Sequence, residues 1–341
     1  MASIEARRVA EGVLALSSES TAERTTVIVP VLNEEQNIPI LHEALTQALQ
    51  GRDYELIFVD DGSVDGSPEI LRSLAERDEE HVTVIEFRRN FGQTTAIAAG
   101  IDYSSGEIVV LIDADMQNDP SDIPMMLDKI DEGYDVVSGW RIDRKDPFLT
   151  RRLPSRVANW LISRVTGVAL HDYGCTLKAY RRDVLQGFRL YGEMHRFIPA
   201  YAGSVGARIV EVPVKHNPRR HGKPNYGLER TVKVVLDLFA MKFLISYART
   251  PIYLFGGLGL LIIAPSLTFL LFLFIRRLLV GTSVLGSPLF STSIMLVILG
   301  FICFLMGFIA ELLVRTYHES QAKPTYSIRQ VINGKGGPVG S

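Results

Sequence analysis

Two stretches without a charged side chain set the outer limits on this fold. Pro251 to Ile275 and Leu289 to Ala310 contain no Asp, Glu, Lys or Arg. At ~1.5 Å per residue, each is long enough to cross ~30 Å of hydrocarbon as an α-helix. A buried helix pair in a soluble domain is the other structure such runs allow, and two in tandem weigh against it. Between them, Arg276-Arg277 and a Gly/Ser/Pro-containing segment read as the connection of a helical hairpin. Near the start, Glu5, Arg7, Arg8 and Glu11 interrupt any apolar core that an export signal needs. The polar part before residue 249 is therefore expected on the cytosolic side. Arg249, Arg315, His318 and Lys323 agree with that orientation, while Arg276-Arg277 opposes it.

The polar part alternates strand and helix. Thr25–Val31, Leu56–Val59, Val82–Phe87 and Ile108–Ile112 are apolar or β-branched runs, each separated from the next by a helical pattern of 10–15 residues. Such alternation predicts α/β architecture: a mostly parallel sheet with helices on both faces. Ile108–Ile112, apolar throughout, reads as a strand buried on both sides. Each run ends in polar residues, where an open α/β sheet places its ligand crevice. Asn33 and Glu34 follow the first; they can contact a nucleoside or cap the next helix. Asp60 and Asp61 follow the second, where they can accept from a nucleobase and ribose or simply form a D-G turn. Gly92 allows close approach of a ligand or opens a helix. Asp113 and Asp115 end the fourth, as hard oxygen donors of the kind that hold Mg²⁺ or Mn²⁺ beside substrate phosphates. A solvated acidic turn is the plainer reading of that pair alone.

A further strand, Tyr134 to Ser138, leads to Arg141. From Arg141 to Arg156 there are six basic residues against Asp143 and Asp146. Pro154 can open a helix there, putting Ser155 in its first turn, where free N–H groups attract anions. Arg151 precedes it and can fork onto a phosphate. After strand Ile209–Val214 comes a second basic segment, Lys215 to Lys223. His195-Arg196-Phe197 either lines the pocket or caps a helix. Tyr226 to Tyr247 has helical periodicity, suited to a helix in the headgroup plane or to a core helix. The net charge of −2 argues against general nucleic-acid binding. No G-x-G-x-x-G follows the first strand and no G-x-x-x-x-G-K-[ST] is present, which disfavours dinucleotide cofactors and P-loop chemistry.

Val-Pro-Val-Leu-Asn-Glu, Val-Asp-Asp-Gly-Ser-Val-Asp, Arg-Asn-Phe-Gly and Asp-Ala-Asp-Met-Gln together resemble the successive motifs of inverting family 2 glycosyltransferases of the GT-A fold. The resemblance is strongest to polyprenyl-phosphate glycosyltransferases: dolichol-phosphate mannose synthases and bacterial bactoprenol glucosyltransferases. It spans about residues 24–320, including two C-terminal membrane helices. It implies that Pro30, Asn33, Glu34 and Asp60 surround the nucleoside, that Asp113 faces the ribose and metal region, and that Asp115 and Gln117 hold the metal. Arg141, Arg151 and Ser155 match positions for the acceptor lipid phosphate. Asp172, in His171–Lys178, matches the segment closing the acceptor side and is a catalytic-carboxylate candidate or an ordinary turn residue. Arg219 and Lys223 belong to a loop that closes over the donor diphosphate, with Pro224 where that loop has a serine. Leu32 stands where an aromatic residue often sits.

The expected protein is thus a metal-dependent (Mg²⁺ or Mn²⁺) enzyme of the inner (plasma) membrane. Its expected reaction transfers glucose from UDP-glucose to undecaprenyl phosphate with inversion. GDP-mannose, UDP-galactose, UDP-N-acetylhexosamine and UDP-modified arabinose remain alternative donors, and a non-catalytic nucleotide-sugar-binding protein is the alternative class. Expected boundaries are an N-terminal arm at 1–23, the catalytic domain at 24–224, a juxtamembrane helix at 225–249, the hairpin at 250–315 and a cytosolic tail at 316–341. A homo-oligomer could form if the glycines of the first span pack against another subunit.

Overall fold

A computed structural model describes residues 23–142, 159–160, 162–164, 166–185, 194–218, 251–281, 287–320 and 326–334, with only the backbone at 251–254 and 311–320. The arm before residue 23, the juxtamembrane helix at 225–249, and Arg151, Ser155, Arg219 and Lys223 lie outside the described residues.

The chain separates into two compact units, one made of Met1–Asp237 with Pro324–Ser341, the other Leu238–Lys323. The first is built on one sheet. Its strands are β1 (Thr25–Val31), β2 (Tyr54–Asp60), β3 (Val82–Phe87), β4 (Ile108–Leu111), β5 (Val136–Trp140), β6 (Lys178–Arg181), β7 (Ile209–Pro213) and β8 (Ile328–Ile332). They lie in the order β7-β5-β6-β4-β1-β2-β3-β8. β3, β2, β1 and β4 run parallel, as their apolar runs predict. β6 is antiparallel to both β4 and β5, and β8 is antiparallel to β3.

Successive side chains of a strand point to opposite faces, and both faces are covered. Val27, Val29, Leu56, Phe58 and Val110 pack with α1 (Ile38–Ala48), α2 (Ser67–Arg77) and α4 (Ile123–Asp131). Ile28, Ile57, Ile85, Val109 and Leu111 pack with α3 (Gln93–Tyr103) and α5 (Ile198–Ser204). Apolar residues on alternate positions therefore each find a core, which is why β1, β2 and β4 show no polar face.

β8 corrects the expected tail at 316–341. Ile328–Ile332 pairs with β3 and closes that edge of the sheet. Just before it, Tyr326 stacks on Phe87 with centroids 5.4 Å apart, and its hydroxyl donates to Asp102 Oδ2 at 2.7 Å. Just after it, the Asn333 amide donates to the carbonyls of Ala75 and Val82 at 2.7 and 3.2 Å.

The second unit holds α6 (Pro251–Val280) and α7 (Pro288–Ser320), both long and apolar enough to span a membrane. Arg276 and Arg277 belong to the last turns of α6 rather than to the connection. The two helices cross closely at Gly259 and Gly300. A Cβ on Gly259 would lie 2.5 Å from the Gly300 carbonyl oxygen. Gly259 of the first span is therefore used within this hairpin.

Candidate active site

β1 sits between β2 and β4, so the order of strands along the chain reverses direction there, and a crevice opens beyond the carboxyl ends of those strands. The resulting cavity has a volume of about 270 Å³. Pro30 near the end of β1 and Leu32 and Glu34 just after it line the cavity, with Asp61 after β2 and Asp113, Asp115 and Gln117 after β4. Arg141, Thr176, Lys178, His195 and Arg196 complete the lining.

The Asp113–Gln117 turn is tightly specified. Met116 holds a left-handed backbone at φ +59°, a conformation that costs a residue with a Cβ and persists only where its surroundings impose it. Its side chain is buried, and the Gln117 N–H donates to Asp115 Oδ1 at 3.1 Å. Asp113 accepts from the Gln93 amide at 2.6 Å on one oxygen and from the Thr176 hydroxyl at 2.6 Å on the other. Burial, together with the neighbouring charge of Asp115, pushes the Asp113 carboxyl up to about 6. Two carboxylates and an amide on one turn fit a hard divalent cation. Among the described residues there is no group of three or more His, Cys, Asp or Glu suited to a metal. Such an ion would draw its other ligands from substrate phosphate and water, as Mg²⁺ commonly does.

The part of the cavity beyond β1 and β2 is organised by loop-to-loop bonds. Asp61 is buried at the cavity wall, and its two oxygens accept from the N–H groups of Phe91 and Gly92 at 2.6 and 2.9 Å. Burial raises its carboxyl above the ordinary range, against the pull of those two bonds. Gly92, at φ +96°, is the N-cap of α3, so the helix-opening role is the one on view. Asn33 and Asp60 do not line the cavity. Asn33 Oδ1 accepts from the Val64 N–H at 2.8 Å and its own N–H donates to Ser63 Oγ at 2.9 Å. Asp60 Oδ1 accepts from the Ser63 N–H at 3.1 Å. Both shape the 60–65 loop. Glu34 does line the cavity while accepting from the Asn37 amide at 2.6 Å.

Elsewhere in the lining, Arg141 donates to Asp172 from Nε at 2.7 Å and from Nη2 at 3.0 Å. Asp172 is 3 % exposed and lies behind Arg141 rather than on the cavity wall. Its N–H and that of His171 donate to Glu211 on β7, which holds the loop in place. The second basic segment begins beside the Asp113–Gln117 turn. Asn217 N–H donates to the Gln117 carbonyl at 2.9 Å, and Lys215 N–H to Asp122 Oδ2 at 2.7 Å.

Three cavity residues gave little sign of themselves in the sequence: Gln93, Thr176 and Lys178. Gln93 follows a recognisable Asn-Phe-Gly, yet a polar residue opening a helix is unremarkable. Lys178 lies in a short strand with a cation at each end, a pattern that reads as surface.

The glycosyl transferase family 2 model matches residues 26–188. The chain is 40% identical over 313 residues to a dodecaprenyl-phosphate galacturonate synthase of Rhizobium johnstonii, covering 90% of this chain and 93% of that one. It is 35% identical over 320 residues to an undecaprenyl-phosphate 4-deoxy-4-formamido-L-arabinose transferase of Edwardsiella ictaluri, covering 93% and 97%. Among solved structures, it resembles in fold the glucosyl-3-phosphoglycerate synthase of Mycobacterium tuberculosis in complex with Mn²⁺, UDP and phosphoglyceric acid. That match has a TM-score of 0.51 at 21% identity and covers 65% of this chain and 78% of that one.

Proposed function

Because the chain belongs to glycosyl transferase family 2, in its polyprenyl-phosphate branch, we propose that it moves a sugar from a nucleotide diphosphate donor onto a polyprenyl phosphate at a membrane surface. The observation that carries this reading is one cavity lined both by Asp113, Asp115 and Gln117 and by Arg141. The acidic turn suits a metal beside the departing diphosphate, and the guanidinium suits an incoming phosphate.

A divalent ion held by Asp115 and Gln117, with Asp113 beside them, would supply Lewis-acid relief of charge on the leaving diphosphate. The rest falls to the chain itself. Arg141, with Arg151 and Ser155, aligns the acceptor phosphate and offsets repulsion between two anions. A phosphate monoester has a second pKa of ~6, so the nucleophile is already dianionic at neutral pH and a strong general base is dispensable. Attack on one face of the anomeric carbon, with the nucleoside diphosphate leaving from the other, inverts the centre. Pro30, Glu34 and Asp61 border the nucleoside, with Asn33, Asp60 and Gly92 setting their loops. Arg219 and Lys223 close on the diphosphate; what supports this is that the described start of their basic segment, Lys215–Asn217, bonds to residues 117–122.

The curated relatives named above carry galacturonate and 4-deoxy-4-formamido-L-arabinose, so glucose gives way as the first donor to test. Modified arabinose was among the alternatives; a uronic acid was not. Arg196 and His195 in the cavity lining favour a carboxylated sugar, and UDP-galacturonate is the donor we place first. For orientation, the chain enters the hairpin after β7 and re-enters the same sheet at β8, which supports an even number of crossings; the sheet is assigned to the cytosolic side of the plasma membrane on the flanking basic residues. The test is the full chain in lipid nanodiscs with undecaprenyl phosphate, Mn²⁺ and a panel of nucleotide sugars, read by mass spectrometry of the lipid. A sugar-linked lipid monophosphate is expected from UDP-galacturonate. Its appearance only with another sugar would shift the donor, and nucleotide-sugar binding with no lipid product would favour a non-catalytic role.

A further inference from the structure

The turn from Asp172 to Thr176 reaches two parts of the cavity lining, Arg141 and Asp113. At one end Asp172 receives the fork of Arg141. At the other, the Thr176 hydroxyl donates to Asp113 Oδ2 at 2.6 Å. The turn also bonds to itself: Gly174 N–H returns to Asp172 Oδ1 at 3.1 Å. Beneath it lies the ammonium of Lys178, whose residue is 2 % exposed. This group donates to the Tyr173 carbonyl at 3.3 Å and to the Cys175 carbonyl. A buried ammonium is costly unless it is hydrogen-bonded. Here its partners are two main-chain oxygens of the turn, so moving the turn would strip the charge of its solvation. Lys178 is itself fixed in register, opposite Leu111 on β4 and Ser138 on β5.

We propose that Lys178 is a positioning residue that locks the Asp172–Thr176 turn, so that the acceptor-side arginine and the aspartate of the metal turn are held at one spacing and occupancy of either subsite is felt at the other. This rests on the proposed roles of Arg141 and Asp113. The bonds form one continuous route: Arg141 to Asp172, through a turn pinned at two carbonyls, to Thr176 and Asp113. Neither end can shift without pulling on the same five residues, and coupling between two ligands requires such a shared element.

A mutant cycle in the full chain in nanodiscs tests it, with apparent Mn²⁺ affinity and the KM for undecaprenyl phosphate as readouts. Thr176→Val is expected to weaken Mn²⁺ binding and also raise the acceptor KM; Asp172→Asn is expected to raise the acceptor KM and also weaken Mn²⁺ binding. Each cross-effect should reach about tenfold. In a Lys178→Met background the cross-effects should fall to about twofold or less while the direct effects persist, and Lys178→Arg should restore them. A merely structural lysine would instead lower Tm and kcat together and leave the cross-effects intact, which overturns the proposal. If Lys178→Met does not fold, the Thr176→Val and Asp172→Asn cycle in the native background decides, and strict additivity sinks the link. Sugar transfer that persists alongside additivity would remove the link alone. Absence of transfer by the unmutated chain with every donor would remove the underlying function.

Discussion

Arg141 and Asp172 meet edge to edge, with Nε and Nη2 of the guanidinium 2.7 and 3.0 Å from the two carboxylate oxygens. Both oxygens of Asp172 accept from the arginine and one also accepts from Gly174, an arrangement that supports the proposed orienting of Arg141 over the taking of a proton. Planar, two-point pairing of this kind fixes a guanidinium better than a single contact does.

Asp172→Asn keeps the shape and removes the charge. The expected outcome is a rise of about tenfold in KM for undecaprenyl phosphate, with metal-free nucleotide affinity unchanged. Initial rates against acceptor concentration check it. A fall in kcat at constant acceptor KM would mark Asp172 as a proton acceptor.

Asp115→Ala removes a carboxylate from the proposed metal position. Transfer should drop by at least about a hundredfold, and Mn²⁺ binding followed by electron paramagnetic resonance should weaken in parallel. Chelator should silence the unmutated enzyme in the same way. Full activity in chelator would exclude the metal.

Glu86 on β3 is 1 % exposed and accepts from Arg72 Nε at 2.7 Å and Nη2 at 2.8 Å. Burial alone raises a carboxyl, but the hydrogen bond and charge of Arg72, with Gln330, outweigh it and hold Glu86 below its ordinary range. A depressed folded pKa gives stabilisation that is complete above the unfolded value of ~4.3 and is lost as pH falls through the folded one. Glu86→Gln should therefore cost about 1 kcal/mol of stability at pH 7.5, given the half-exposed arginine, and lower Tm accordingly. The difference should close below about pH 4 in a thermal-shift series.

Tyr326→Ala deletes both the stack on Phe87 and the bond to Asp102. A loss of about 3 kcal/mol is expected, typical of truncating a large buried aromatic residue. Limited proteolysis should then cut around residue 326 before it cuts β1 or β2. Unchanged protection would mean that β8 holds without its anchor.

In the hairpin, Gly300→Val puts a branched side chain where a Cβ already lies 2.6 Å from Ile263 Cγ1 and 2.8 Å from the Gly259 carbonyl. The helices should separate, and a cysteine pair introduced across the crossing should cross-link less efficiently than with glycine in place.

The parallel half of the sheet was readable because β1, β2, β3 and β4 are buried on both faces, so each appears as a mainly apolar or β-branched run, with Glu55 in β2 and Glu86 in β3 as the charged exceptions. β6 and β8 were not. Lys-Ala-Tyr-Arg and Ile-Arg-Gln-Val-Ile mix charges with apolar residues, and their partners lie far away in the chain, at Leu111 and at Val84–Phe87. In the Asp113–Gln117 turn, strand-end position and donor chemistry pointed to Asp113 and Asp115, and Gln117 came from the family resemblance. Asn33 and Asp60 show the limit of that reasoning: a carboxylate or amide at a strand end can serve a neighbouring loop as well as a ligand, and only the path of the loop decides. Lys178 was hidden for the opposite reason, since pattern treats a lysine as solvent-facing and cannot reveal the carbonyls that solvate it.

β8 also imposes an order on biogenesis. By the time residue 213 has left the ribosome, β1 to β7 are available, yet the outer rim of β3 stays bare until residues 328–332 follow. Both apolar helices are made in that interval. Until residues 328–332 are made, the chain therefore presents a bare strand rim to chaperones and proteases.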